Sequence, residues 1–186
     1  MKKQFALIID LDKCIGCKGC SVSCYNQHDI SAGIYFCTLG QEGPIGVFPN
    51  LQMSYIPRNC MHCSNPSCAD ACPAKAISIT DAGVVIIDEV SCTGCGECVS
   101  ACPYEACHID QVEQVAKKCD MCLSLIREGG SPICVTTCQG LARLFGDIND
   151  PDSTVARIME KNKGIIFREK ESFGTNPNVY YLPVRT

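Results

Sequence analysis

The chain has 186 residues, a formal net charge of −4 and 18 cysteines. Hydrophobic residues make up 46% of it, but this fraction includes the cysteines, so the ordinary apolar core is thin for a chain of this length. The acidic balance argues against a nucleic-acid-binding protein, and no apolar run approaches the roughly 18 residues of a membrane helix, which predicts no direct membrane insertion.

The first predicted element is a short strand, ALIID, close to the N-terminus. Asp10 and Asp12 interrupt the apolar run around it before the length of an export signal is reached. We therefore expect the chain to stay in the cytoplasm or to be exported with a partner that carries the signal. We also expect it to associate with a membrane only through a partner.

The first cysteine motif, DLDKCIGCKGCSVSC, follows this strand and contains Cys14, Cys17, Cys20 and Cys24. Glycine and proline recur between residues 25 and 59 without a helical period. We therefore predict an irregular insertion at 35–50 that faces a partner or covers a metal site. Cys37 lies in this insertion, matches no motif and is predicted to be a buried free thiol.

Motifs two and three lie close together in the middle of the chain. The second, CMHCSNPSCADACP, contains Cys60, Cys63, Cys68 and Cys72, and the third, SCTGCGECVSACP, contains Cys92, Cys95, Cys98 and Cys102. Between them, ISI and VVII flank a turn at residues 80–83, which predicts a β-hairpin. We interpret His62 as a packing histidine, with a hydrogen bond to the metal site as the alternative, and Cys107 as a second free thiol.

The fourth motif, CDMC followed by CVTTC, contains Cys119, Cys122, Cys134 and Cys138, with a short helix and a glycine turn predicted between its halves. A strand at LARLFGD, a helix that begins near Ser153 and a strand at VYYL follow. Residues 1–150 carry a net charge of −6 and residues 151–186 a net charge of +2. We predict a partner-facing C-terminal tail at 151–186, with a merely solvated segment as the open alternative.

The spacing of these sixteen cysteines distinguishes three kinds of site. Disulfides fit poorly, because cysteines at i and i+3 have poor geometry for bridging each other and no export signal is visible. Structural zinc gives no reason for the third cysteine of C-x-x-C-x-x-C. A [4Fe-4S] cluster uses this spacing, so we predict four [4Fe-4S] clusters, which have no open site for a substrate and pass single electrons.

The motifs must be paired, because the fourth cysteine of such a motif ligates the neighbouring cluster in two-cluster ferredoxins. Motifs two and three make one ferredoxin-like pair at 51–112, which leaves motifs one and four, at 1–34 and 113–150, to pair around it. The four ligand sets are then Cys14, Cys17, Cys20 with Cys138 (set one); Cys60, Cys63, Cys68 with Cys102 (set two); Cys92, Cys95, Cys98 with Cys72 (set three); and Cys119, Cys122, Cys134 with Cys24 (set four). A sequential pairing of one with two and three with four stays open on the residues alone.

The predicted fold class is α+β, with tandem ferredoxin-like modules whose short strands and helices surround the clusters. No arrangement of nucleophile, base or paired carboxylates is visible, so the chain is predicted to have no active site of its own.

The chain resembles the iron-sulfur electron-transfer (beta) subunit of the dimethyl sulfoxide reductase and polysulfide reductase family of molybdopterin oxidoreductases. The segments that carry the likeness are IDLDKCIGCKGCSVSC, CMHCSNPSCADACP, GVVIIDEVSCTGCGECVSACPYEA, KKCDMC with CVTTC, FGDINDPDS and GTNPNVYYL. It departs from the family pattern at Gln139, where a proline usually follows the cysteine, but all sixteen ligand cysteines are present.

This resemblance implies the nested pairing and a role in electron transfer. It also implies a large catalytic subunit with a molybdenum or tungsten pterin as the partner, and electron relay to a quinone-linked membrane subunit or a soluble partner. The alternatives are a free-standing or cytosolic polyferredoxin that serves another redox enzyme and, less favoured, an iron-sulfur sensor.

Overall fold

The computed structural model describes residues 2–185. Its helices and strands, in chain order, are β1 (Phe5–Asp10), α1 (Gly19–Gln27), β2 (Cys37–Val47), β3 (Asn50–Asn59), α2 (Ser67–Asp70), β4 (Ile77–Ile79), β5 (Val85–Ile87), α3 (Glu97–Ala101), β6 (His108–Ile109), β7 (Ala116–Lys117), α4 (Leu123–Arg127), α5 (Ile133–Thr136), β8 (Arg143–Asp147), α6 (Thr154–Lys161) and β9 (Val179–Leu182). The α+β class and the short elements predicted from the sequence are confirmed.

A three-stranded sheet joins the two ends of the chain. The N-terminal strand β1 lies in its centre, antiparallel to β8 and parallel to β9. Ile8 packs with Val155 of α6 on one face, and Leu7 belongs to the core on the other, as the two-residue period of a strand requires. The predicted strands at ALIID, LARLFGD and VYYL are therefore correct, and they meet in one sheet.

Helix α6 begins where the sequence predicts it. The Ser153 side chain caps its N-terminus, because its Oγ accepts a hydrogen bond of 3.1 Å from the backbone N–H of Ala156. Residues 151–186 thus contribute a helix and a buried strand to the core of the fold, whereas their role toward a partner stays a prediction.

The hairpin predicted between motifs two and three is confirmed. Strands β4 and β5 pair antiparallel, with Ile77 opposite Ile87. The backbone N–H of Gly83 donates to the carbonyl of Thr80 at 3.0 Å and closes the turn. Gly83 has a φ of +78°, the left-handed region that glycine adopts without strain.

The prediction of an irregular insertion at 35–50 is wrong. Strands β2 and β3 form a long antiparallel ribbon across this segment, from Cys37 opposite Asn59 to Val47 opposite Asn50. The sequence hides the ribbon because its far half is exposed on both faces and therefore has no alternating pattern. Gly43 and Pro44 lie at a register shift after Glu42, and Pro49 lies in the turn between the two strands.

The short helices that follow the cysteine loops contact each other in two pairs. Helix α1 of motif one contacts α5 of motif four, and α2 of motif two contacts α3 of motif three. Within residues 2–185, no helix is both long and apolar enough to cross a bilayer.

Candidate metal centres

The cysteines of motifs two and three line two cavities. The first cavity is lined by Cys60, Cys63 and Cys68 of motif two together with Cys102 of motif three. The second is lined by the three loop cysteines of motif three together with Cys72 of motif two. Cys72 and Cys102 each leave the end of a short helix, so each crosses from its own loop to the other cavity.

Motifs one and four approach each other closely. Cys138 lies near enough to Cys14 for its charge to raise the pKa of Cys14, after the larger effect of burial. Cys24 likewise lies near Cys134 and Cys122. A hydrogen bond of 2.8 Å joins the Ser23 hydroxyl, on α1 of motif one, to the Thr137 hydroxyl, at the C-terminal end of α5 of motif four.

Gly140 shows how tightly the loop after motif four approaches motif one. A Cβ atom at this position would lie 2.4 Å from the carbonyl oxygen of Lys13, a distance that no side chain tolerates. The structure thus brings the cysteines of motifs two and three together around two cavities and brings motif one against motif four.

Backbone N–H groups point at several of these sulfurs. Three crossing cysteines accept a hydrogen bond from the alanine four residues later, at 3.3 Å for Cys72, 3.5 Å for Cys102 and 3.3 Å for Cys138. The segments CPAKA, CPYEA and CQGLA carry this arrangement. The repeat C-x-x-x-A is a signal that sequence reasoning missed.

Burial opposes ionisation of several of the motif cysteines. It raises the pKa of Cys24 to about 12, that of Cys63 to about 12 and that of Cys122 to about 11, with like-charged cysteines adding to the effect at each. Thiols that resist ionisation and yet converge on one point need a positive centre to deprotonate them, which a metal cluster supplies.

The two thiols outside the motifs, Cys37 and Cys107, lie against motif cysteines. Hydrogen bonding from Cys37 lowers the pKa of Cys20 to about 5, and hydrogen bonding from Cys107 lowers that of Cys102 to about 6. Both thiols are buried, as predicted. Sequence reasoning did not anticipate that they would serve as donors to ligand sulfurs, because their positions depend on tertiary contacts.

The histidines divide between packing and contact with the metal groups. His62 is fully buried, its Nδ1 accepts a hydrogen bond of 3.2 Å from the Val85 N–H, and burial lowers its pKa. Its packing role is clear, and a hydrogen bond from its Nε2 to the metal site stays a prediction. His28, which the sequence left unassigned, has its Nε2 3.2 Å from Cys122 Sγ. Asp120 completes a group of possible metal ligands with these two, but Cys122 already belongs to set four.

Two buried cations lie among the cysteines. Arg143 lies beside Cys37 and Cys134, and Lys118 donates from its Nζ to the carbonyl oxygens of Val85 and Cys119. Buried positive charges without carboxylate partners would be unfavourable alone, and they are matched by a site that carries several thiolates.

Cysteines of different ligand sets also lie together in two packed groups. One packed group contains cysteines from sets one, four and two, namely Cys20, Cys24, Cys119, Cys134, Cys60 and Cys102. A second contains cysteines from sets two and three, namely Cys68, Cys98, Cys102, Cys72 and Cys92. Cys17 of set one and Cys95 of set three are solvent-exposed, so these two sets reach the surface.

The residues fit [4Fe-4S] clusters. All the donors are sulfur atoms, four of them converge on each of two cavities, and backbone N–H groups are available to the sulfurs. Among residues 2–185, the Arg143 Nε and His62 Nε2 are buried without a hydrogen-bond partner, which leaves polar atoms available for a bound group.

Comparison with known proteins gives a consistent result. The family model of the 4Fe-4S dicluster domain matches residues 51–148. The B subunit of tetrathionate reductase from Salmonella typhimurium is 39% identical, over 97% of this chain and 73% of its own length. The B subunit of selenate reductase from Mesobacillus selenatarsenatis is 36% identical over 96% and 72%, and the B subunit of polysulfide reductase from Wolinella succinogenes is 33% identical over 98% and 96%.

Proposed function

Because this protein belongs to the iron-sulfur electron-transfer subunits of the dimethyl sulfoxide reductase and polysulfide reductase family, we propose that it carries four [4Fe-4S] clusters in a row and relays electrons between a molybdenum or tungsten pterin site and a second redox partner. Family membership makes it an iron-sulfur B subunit of a molybdoenzyme complex, with a catalytic subunit as its partner.

The convergence of cysteines on two cavities supports the ligand assignment most directly. Each cavity combines three cysteines of one motif with the fourth of the other, which is the crossed pattern of sets two and three. The proximity of Cys138 to Cys14 and of Cys24 to Cys134 supports the same pattern for sets one and four. We assign the ligands accordingly, with motifs one and four as one ferredoxin-like pair and motifs two and three as the other.

The packing of neighbouring cysteine sets against one another supports a linear relay. When bound, each cluster supplies the ability to accept and release one electron. We propose the order one, four, two, three, which is supported by one packed group that contains cysteines of sets one, four and two and a second that contains cysteines of sets two and three. Many of these sulfurs are buried, which excludes water from the interior of such a row.

The two exposed ends of this row provide the contacts for electron entry and exit. Ile15 and Leu141 are exposed beside set one, and Val90 and Val112 are exposed near set three. One end faces the catalytic subunit, and the other faces a quinone-linked membrane subunit or a soluble partner. On this proposal the catalytic subunit determines the substrate.

Anaerobic purification of the native complex through this chain tests the proposal. We expect a large co-purifying subunit, molybdenum or tungsten, and at least the sixteen iron atoms per chain that four clusters contain. Iron on a chain that purifies alone would instead support a diffusible polyferredoxin. Zinc in place of iron would contradict both.

A further inference from the structure

Arg143 is a buried positive charge between set one and set four. Its side chain is almost inaccessible, with the residue only 2% exposed. Its Nη2 lies 3.0 Å from the Cys37 Sγ, and its Nη1 lies 3.6 Å from the Cys134 Sγ and donates to Asn59 Oδ1 at 3.1 Å. The guanidinium is therefore paired with sulfur atoms and an amide, where buried arginines ordinarily pair with carboxylates.

The contacts of Arg143 extend to both neighbouring cysteine sets. Cys134 belongs to set four, and Cys37, the other sulfur beside the guanidinium, lies in the same packed group as Cys20 of set one. Burial acts to lower the pKa of Arg143, but the charges of Cys37, Cys134 and Cys20 raise it above its ordinary value, so the side chain keeps its charge.

One nitrogen of this guanidinium has no protein partner. Among residues 2–185, no group lies within hydrogen-bonding distance of the Arg143 Nε, although the atom is buried. Buried donors in native proteins are nearly always paired. A sulfide of a neighbouring cluster is an acceptor that would satisfy it.

Arg143 occupies a position that recurs in the molecule. It lies five residues after the crossing cysteine Cys138, as Cys107 lies five residues after Cys102 and Ile77 five residues after Cys72. In all three places the preceding alanine donates its N–H to the crossing sulfur, and the residue itself is buried. The same backbone arrangement therefore presents a guanidinium, a thiol and an aliphatic side chain.

Each of these three residues lies at a different metal site and brings a different chemical group to it. Cys107 lines the cavity of set two and hydrogen-bonds to Cys102 and Cys68. Ile77 lines the cavity of set three, whose remaining lining is the cysteines, small or aliphatic residues and Thr93. Only Arg143 brings a charge to its site from this position.

We propose that this recurring position tunes the reduction potentials of the clusters, with Arg143 raising those of sets one and four, Cys107 raising that of set two by less, and Ile77 adding nothing to set three. Reduction adds one negative charge to a cluster, and a buried cation or hydrogen-bond donor near its sulfurs stabilises that charge. This inference rests on the proposed function, because it requires the four clusters and their ligand assignment.

Lys118 is the other buried cation, and it has to be separated from this effect. It lies among Cys60, Cys119 and Cys68 and so acts on sets two and four. Set one has Arg143 as its near cation, and it is therefore the set on which the inference is tested most sharply.

The test is an EPR-monitored redox titration of the intact complex carrying wild-type chain, Arg143→Gln or Arg143→Lys. Cys17→Ser and Cys95→Ser, which alter exposed ligands, assign the signals of sets one and three. We expect Arg143→Gln to disfavour reduction at set one by at least tenfold, about 59 mV for one electron, with at least as large a shift at set four, whose Cys134 it contacts, and none at set three. Arg143→Lys should restore most of the wild-type potential because it keeps the charge.

Matched variants at the two equivalent positions complete the test. Cys107→Ala should lower the potential of set two alone and by less, and Ile77→Val should move none. An Arg143→Gln chain that keeps all its iron and shifts no cluster, or shifts all four together, would overturn the inference, because a specific charge effect must be local.

Loss of iron from Arg143→Gln is covered by a second variant, Cys37→Ala, which removes the thiol between Arg143 and Cys20. A lowered potential confined to set one supports the inference, and an unchanged potential overturns it. Failure of the proposed function is distinguishable, because it would appear as missing iron or missing signals in the wild-type chain.

Discussion

The two pairs of cysteine motifs are held together by different structural elements. Motifs two and three, within residues 60–102, are joined by the hairpin β4–β5, and much of the packed group around them consists of cysteines. Motifs one and four come from opposite ends of the chain and are joined through the sheet β8-β1-β9, which has an aliphatic core of its own. The middle half has only a two-stranded hairpin of its own, although Met61 and Val84 pack in the same core as Leu7 of β1, whereas the outer half has a three-stranded sheet.

This difference shows how metal binding and hydrophobic packing each contribute to the stability of the fold. Bringing distant motifs together costs loop-closure entropy, which the buried sheet strands offset. A short connection costs little, so the middle pair manages with a small hairpin and few apolar side chains. We therefore expect the middle half to depend more completely on its clusters.

Removal of iron is expected to have the largest effect. Anaerobic chelation should unfold most of the chain, because metal binding of this kind can exceed the roughly 5–15 kcal/mol stability of an ordinary domain. Hydrogen exchange should show residues 60–102 losing protection first and strand β1 losing it last. Protection that persists in β4–β5 after β1 has exchanged would contradict the comparison.

Replacement of a crossing cysteine should perturb the one cluster that it ligates. The same rule should hold in both halves of the molecule. Cys138→Ser should perturb the cluster held by Cys14, Cys17 and Cys20 and leave that of Cys119, Cys122 and Cys134 nearly intact. Cys72→Ser should likewise perturb set three and spare set two. EPR spectra and iron content check both, with Val90→Ala, at an exposed residue, as the control. Sequential pairing would instead make Cys138→Ser perturb the cluster of Cys92, Cys95 and Cys98, and Cys72→Ser that of Cys14, Cys17 and Cys20.

A cavity in the sheet should destabilise the outer half alone. Ile8 is fully buried between β1 and α6, so Ile8→Ala should lower the free energy of unfolding of the iron-loaded protein by about 2–5 kcal/mol. Val90, which is 97% exposed, provides the control, since Val90→Ala should change the free energy of unfolding by less than about 0.5 kcal/mol. Equal losses for the two variants would show that the sheet core contributes nothing of its own.

The smallest expected effect concerns the helix that covers the sheet. Ser153→Ala removes the N-cap of α6 and should cost about 1 kcal/mol, seen as a lowered thermal midpoint with unchanged EPR spectra. Lys163→Ala, in an exposed ion pair, is the matched control and should have almost no effect. A change in the cluster signals of Ser153→Ala would mean that the sheet and the metal sites are coupled more tightly than we propose.

Local patterns explain how much of this structure was predictable. The cysteine spacing, the β4–β5 hairpin and the cap of α6 each depend on a few neighbouring residues, and all were read from the sequence. The β2–β3 ribbon was missed because its far half is exposed on both faces and lacks a periodic pattern.

The contacts around the metal sites were less predictable for a different reason. Cys37, Cys107 and Arg143 reach ligand sulfurs only after distant segments have packed, so no spacing rule assigns them. The repeat C-x-x-x-A could have indicated the position of Cys107 and Arg143, but not the chemistry that each would bring there.

Anaerobic native mass spectrometry of the purified complex tests the central claim most directly, because it weighs this chain with its metal groups still bound. The account predicts that the released chain carries the mass of four [4Fe-4S] clusters and comes from an assembly with a larger catalytic subunit. A chain that carries fewer clusters, or one that forms no such assembly, would contradict it.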